Sequence, residues 1–318
     1  MGLKSPILFT LYLAKALEEK PSLSKPNLQD HTYAKLDADA AEDDLPVHLK
    51  EHAYCKRTAD PYFCINQQYA DDISWVANNK LKIDQVKDKI PQKLRKRNLK
   101  VNQTKTEEYE ITRNSADEKW RKCKYLGSLL DSNEDINRRK QLAMMAYNKL
   151  KFILDSKKTS TLLKMRIFSS FIASIFLYNS ELWIMNKKIE HKIDVFQRSL
   201  LRRALKINWK DKVSNDELYE QSNQDRWSTV IKTRRLHWFG HLMRLPDETP
   251  AKLALKESER KIKKPQGRPK LTWLKQVKDQ LKEMKIDYQD IETLTSDRLS
   301  WRILISSEGA MSTKTITA

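Results

Sequence analysis

The sequence predicts an α+β chain that is mostly helical, with its strands confined to the first 130 residues. Three observations predict this class. Glycine is scarce, at 5 of 318 residues, while 32% of residues are charged, which argues against a β-rich or Rossmann-type protein. Two short runs, YFCINQQY and ISWVA, flank Ala70-Asp71-Asp72 and read as strands joined by a tight turn. From Asp135 onward, apolar residues recur at three- and four-residue spacing almost without interruption, as helices require.

The elements follow in order. Residues 5–19 form one helix, with Ser5 as N-cap and Pro6 at the first helical position. Residues 20–60 have no period, carry Pro21, Pro26 and Pro46, and include the acidic tract DADAAEDD, so they read as a loop or irregular insertion. After the two strands a helix runs from Leu81 to Arg97 despite Pro91, and Asn98 suits a left-handed cap. VNQTKTEEYEIT (101–112) has strand character, and KCKYLGSLL (122–130) has more, with Gly127 as a bend. Asp135 opens the helix INRRKQLAMMAYNKLKFIL. STLLKMRIFSSFIASIFLYNSELWI, IEHKIDVFQRSLLRRALKI and DRWSTVIKTRRLHWFGHLMRL follow as further helices. A basic linker occupies 259–270, and one or two helices run on to about residue 305. The domains expected are 1–130, then a helical 131–210, then a basic helical 211–318 containing that linker.

Charge is the first functional clue. With 61 Lys and Arg against 42 Asp and Glu, the chain carries +19. So cationic a surface repels itself unless it meets a polyanion. Nucleic acid is the foremost such partner, and an anionic membrane surface is second. Cys55, Cys64 and Cys123 are odd in number and lack metal-ligand spacing, which suits a reducing compartment. The opening MGLKSPILFTLYLAKALEEK only faintly mimics a secretion signal. The longest apolar window, 168–185, contains Glu181 and several hydroxyls and reads as a buried helix rather than a membrane span. An intracellular protein, in nucleus or cytoplasm, is expected, with no membrane partner.

Two adjacent aspartates between strand-like runs raise an electrostatic question. Asp43-Asp44 lies among other acids in a polar loop, as a solvated turn should. Asp71-Asp72 instead follows Tyr69 and precedes Ile73, Trp75 and Val76. Held together near apolar neighbours, two carboxylates repel each other unless a cation intervenes. Mg²⁺ bound through such a pair plus substrate phosphates is one answer. A turn chosen for Asp propensity is the other.

The order of motifs along the chain resembles the reverse transcriptases of non-LTR retrotransposons. KSPILFTLYLAKAL (4–17) is similar to the family's Ser-Pro helix, QYADDISWV (68–76) to its aromatic-Ala-Asp-Asp hairpin, and NLKVNQTKTE (98–107) to its Asn-x-x-Lys-Thr segment. KYLGSLLD (124–131) resembles the Tyr-Leu-Gly turn, while RRLHWFGHLMRLPDE (234–248) and QGRPKLTWLKQV (266–277) resemble the helical region beyond the thumb. The resemblance implies a partial polymerase palm over 1–130, a thumb-like 131–210 and a basic C-terminal region. It implies that Asp71 and Asp72 hold Mg²⁺ or Mn²⁺ and act in catalysis. Ser5, Pro6, Phe9, Tyr69 and Ala70 would shape the nucleotide side. Lys105 would contact phosphate, and Tyr125, Leu126 and Gly127 would approach the primer. The family also needs an aspartate upstream of the Ser-Pro helix, and no counterpart stands in the sequence given, so impaired RNA-directed DNA polymerisation is expected.

Binding is legible separately from catalysis. Arg198, Arg202 and Lys206 recur every four residues with Arg203 beside them, and Arg234 and Arg235 add to the set. Such cations contact phosphates in a salt-dependent way. Residues 260–270 hold six basic groups and no acid, including Lys263, Lys264, Arg268 and Lys270. They read as a flexible basic linker, with a minor-groove contact through Gly267-Arg268-Pro269 as the sharper alternative. His237 and His241 stand one turn apart but lack further ligands nearby. Tyr147, Trp183, Trp209, Trp227 and Trp238 are expected to pack rather than to stack on bases.

Overall fold

The computed structural model describes residues 64–69, 72–77, 80–96, 98–109, 119–247, 249–259 and 271–314. The Ser-Pro helix, the 20–60 segment and the 260–270 linker lie outside the described residues. The described chain is mostly helical with few strands, compatible with the α+β expectation. It divides into two compact units: residues up to Glu108 with Asp247–Leu253, and Tyr109–Pro246 with the residues from Ala254.

In the first unit, β1 (Cys64–Tyr69) and β2 (Asp72–Ala77) pair antiparallel, with Tyr69 opposite Asp72 and Cys64 opposite Ala77. β2 is less buried than its apolar run suggests, since Val76 is 52% exposed. Among the described residues this sheet has two strands, too few to cover both faces. α1 (Lys80–Arg95) contains Pro91 without breaking. The helix closes where the sequence places its cap: Asn98 has φ 58°, and the Leu99 amide donates to the Leu94 carbonyl at 2.9 Å. Leu94 is buried against Ile73, Ile90, Leu99 and Val101.

The strand expected at 101–112 does not form over its described part. Asn102 diverts it: its side-chain oxygen accepts from the Thr104 amide and hydroxyl at 3.1 and 2.7 Å. That closes a 3₁₀ turn at Gln103–Lys105 in place of a ladder.

In the second unit, β3 (Lys124–Tyr125) and β4 (Ser128–Leu129) form a minimal hairpin. The bend expected at Gly127 is a full chain reversal. α2 (Ser132–Lys149) then begins earlier than the Asp135 start expected. Asp131 is the cap, accepting from the Asn133 and Glu134 amides at 2.9 and 3.0 Å. α3 (Thr161–Ile167) continues into a π-helical turn, Phe168–Ala173, and the chain then reverses through Asn179 at φ 58°. The single long helix expected here is therefore broken. α4 (Lys187–Leu205) and α6 (Trp227–Arg244) follow the sequence periodicity, and a short helix not among those expected, α5 (Asn215–Ser222), lies between them. α7 (Pro250–Glu259), whose residues up to Leu253 are counted with the first unit, and α8 (Trp273–Glu283), α9 (Ile291–Ser296) and α10 (Arg298–Lys314) complete the described chain.

An aromatic cluster anchors this second unit. Phe176 stacks on Trp227 with ring centres 4.4 Å apart and meets Trp183 edge-on at 5.5 Å. Ala143, Tyr147, Leu154, Phe168, Ile172, Ile193 and Ile231 are fully buried around it.

α6 has no local side-chain cap, because Arg226 stands at its N-cap. The missing acceptors come from α4. Asp194 takes the Ser228 amide and hydroxyl at 3.0 and 2.7 Å, and Gln197 takes the Trp227 amide at 2.8 Å. Gln276 of α8 forms hydrogen bonds with both the amide and the carbonyl of Met185. These buried polar side chains satisfy backbone groups that water cannot reach.

Candidate nucleic-acid interface

The β3–β4 hairpin turns on Leu126 and Gly127, whose φ angles are 43° and 82°. Two left-handed residues suit a two-residue hairpin, and glycine accepts that backbone without cost whereas leucine does not. The helical body holds the strained turn in place. Tyr178 donates its hydroxyl to the Leu126 carbonyl at 2.9 Å, Arg138 donates to the Gly127 carbonyl at 2.8 Å, and Arg139 donates to the same oxygen. Arg139 also lies 4.5 Å from the Tyr178 ring centre. Below the turn, Asp135 accepts from the Leu129 amide at 3.0 Å and the Trp183 indole at 2.9 Å. The Tyr-Leu-Gly segment is thus a rigid corner rather than a loose loop.

The cations expected to contact phosphate are sorted by the tertiary structure. Arg235 is withdrawn from the surface. It is 1% exposed, donating to the Trp183 carbonyl at 2.9 Å and to Gln280 at 3.3 Å. Burial, partly offset by the charge of Glu190, pushes its guanidinium down to about 10. Arg202 is half-buried and spends its guanidinium on the Val213 carbonyl at 2.9 Å and Asn215 at 3.3 Å. Arg198 is half-buried near the Tyr219 phenol. Arg203, Lys206 and Arg234 remain exposed, although Arg234 also reaches the Leu177 carbonyl at 2.7 Å. Arg203 lies 5.0 Å from the Tyr147 ring centre.

Other expected residues are only partly in view. Asp72 is exposed at the first position of β2, and Tyr69 ends β1. Lys105 is exposed at the end of its 3₁₀ turn, and Tyr125 is half-buried in β3. Ser5, Pro6, Phe9, Ala70, Asp71, Lys263, Lys264, Arg268 and Lys270 lie outside the described residues. Among the described residues no three His, Cys, Asp or Glu side chains gather as a metal site would require. Among them, too, no helix is long and apolar enough to cross a membrane.

His237 is half-buried and His241 exposed, the latter 5.3 Å from Trp238. Burial first, and then Arg302, hold the His237 imidazole below its ordinary value. On acidification the unfolded chain takes up this proton before the folded one does. The stability contributed is therefore present above about pH 6.5 and lost as pH falls through the lower folded value. The melting temperature is expected to drop between about pH 7.5 and 5.5, and His237→Gln to shrink that drop. Thermal denaturation at the two pH values measures both.

Trp209 departs from its expected packing role. Tyr147, Trp183 and Trp227 are buried, whereas Trp209 is 86% exposed in the loop between α4 and α5. Its signal in the sequence is weak: a lone aromatic in the polar stretch Asn208–Lys212, outside any apolar period.

Comparison with known proteins agrees with part of this reading. No family model matches the chain, and no solved structure matches it. A Caenorhabditis elegans protein described as transposon-derived and uncharacterized is 24% identical over 267 residues, covering 76% of this chain and 94% of that protein. The likeness is weak and points to a transposon origin.

Proposed function

We propose that this chain descends from the reverse transcriptase of a non-LTR retrotransposon and acts by binding nucleic acid. The charge of +19, the motif order and the transposon-derived relative support the descent. The observation that carries the binding reading is the distribution of charge in the second unit. Its core consumes Arg139, Arg202 and Arg235 internally, yet Arg203, Lys206, Lys210 and Lys212 remain exposed around the end of α4. Phosphate contacts by such side chains release counterions, so affinity falls steeply with salt.

The full chain is expected to shift a labelled duplex at low salt. With about six phosphates contacted, affinity should drop roughly 10³-fold between about 50 and 200 mM salt. An absent or salt-insensitive shift overturns the proposal.

The second reading, retained polymerase activity, is favoured by the β1–β2 register. With Tyr69 opposite Asp72, the Tyr-Ala-Asp-Asp tetrapeptide straddles the connection between the strands. Mg²⁺ or Mn²⁺ held by Asp71 and Asp72 would activate a 3′-hydroxyl and stabilise departing pyrophosphate. Primer extension on an RNA template decides it. Product above that of Asp71→Asn establishes activity, and equal product excludes it.

A further inference from the structure

We infer that Trp209 is a stacking platform for an unpaired base, flanked by lysines that hold the adjoining phosphates. The inference rests on the nucleic-acid-binding reading above and adds that single strands are preferred at this site. Trp209 is the most exposed large hydrophobic side chain among the described residues, at 86%. An indole left in water gives up the burial that its aromatic surface could otherwise gain.

The loop holds that indole on a fixed base. Asn208 donates its amide to the Asp211 carboxylate at 2.6 Å, and the Asp211 amide returns to the Asn208 carbonyl at 3.1 Å, closing a 3₁₀ turn. Lys206 and Lys212 bracket the turn in left-handed backbone, with φ of 59° and 53°. Such conformations persist in non-glycine residues only where the surroundings enforce them. Here Lys164, itself buried, donates to the Ala204 carbonyl at 3.0 Å at the negative end of α4. On the far side Arg202 grips the Val213 carbonyl at 2.9 Å. Both ends of the loop are therefore tied to the helical body.

The charge around the ring fits a polyanion. The nearby acids are each engaged locally: Asp211 with the Asn208 amide, Glu217 with the Ser214 amide at 2.8 Å, and Asp216 with Arg226 at 2.6 Å. Among the described residues, Lys206, Lys210 and Lys212 form no ion pair with a carboxylate. The Lys210 ammonium lies 5.9 Å from the Trp209 ring centre, close enough to meet the phosphate beside a stacked base. Duplex bases have their faces covered by neighbouring pairs, so an exposed indole engages bases that are unpaired.

The test uses the full chain and a fluorescent oligothymidylate of about 12 nucleotides, a length in the range that single-strand sites span. Trp209→Ala should weaken its binding on the order of 10-fold, with melting temperature, duplex affinity and salt slope unchanged. Trp209→Phe should retain most of the affinity. Joint replacement of Lys206, Lys210 and Lys212 by glutamine should lower the single-strand salt slope by about 2. Equal single-strand affinity of Trp209→Ala and wild type, with duplex binding intact, overturns the platform and leaves the broader reading standing. Binding to neither nucleic acid overturns both. Trp209-dependent binding to phosphatidylserine-containing vesicles but not to oligonucleotide reassigns the site to a membrane surface and overturns the inference.

Discussion

Asp135→Ala is expected to destabilise the second unit by about 3–5 kcal/mol, the range for removing one partner of a buried charge network. Asp135 is 1% exposed and joins three elements. It accepts the Leu129 amide of β4 and the Trp183 indole, and it lies 3.8 Å from both Arg138 and Arg139. Truncation strands two buried donors and leaves the Arg139 guanidinium without its carboxylate. For a body of this size the melting temperature should fall by on the order of 10 °C. Asp135→Asn keeps one acceptor oxygen and should recover part of the loss. A fall of no more than a degree or two for the alanine variant would show that the hairpin corner is not held through this residue.

Gly240→Ala is expected to cost about 3 kcal/mol, at the upper end for overpacking. Gly240 sits mid-α6 against Trp301 of α10, and an added Cβ would stand 2.2 Å from the indole nitrogen and 2.5 Å from its neighbouring carbon. Trp301 has no room to retreat: it is 1% exposed and donates to the Leu236 carbonyl at 3.0 Å. Ala is ordinarily the better helix residue, so propensity alone predicts a gain of about 1 kcal/mol. The sign of the measured change therefore separates the two effects. In a double-mutant cycle with Trp301→Leu the alanine should become nearly neutral, because the smaller side chain vacates the contact. Additive losses in that cycle would refute the contact.

Much of the fold was legible because helix periodicity is a local property. α1, α4 and α6 lie where their apolar spacing predicts, and Asn98 caps as a left-handed residue should. The failures also have local or tertiary causes that can be named. The stretch from Val101 has strand character, but the Asn102 side chain offers the backbone a competing turn. Asp131 rather than Asp135 starts α2, because only Asp131 reaches the free amides one turn ahead. The reversal at Asn179, which ends the helical run begun by α3, has no glycine or proline to announce it.

The candidate interface was less legible than the fold. Arg234 and Arg235 are indistinguishable as sequence, yet one faces solvent and the other lies in the core beneath Trp183. Trp209 and Trp227 are both tryptophans near helix starts, yet they are 86% and 2% exposed.

What the chain determines by itself is its cationic excess, its helical periods and the order of its motifs, since each is carried by neighbouring residues. The tertiary structure decided which cations stay in water and how buried polar groups find partners. Trp183 meets Asp135, Arg235 meets Gln280 and Met185 meets Gln276 across separations of 48, 45 and 91 residues. A hydrogen bond spanning such a distance leaves no periodic trace in the sequence. Only the packed chain, where an unsatisfied polar group is costly, selects it.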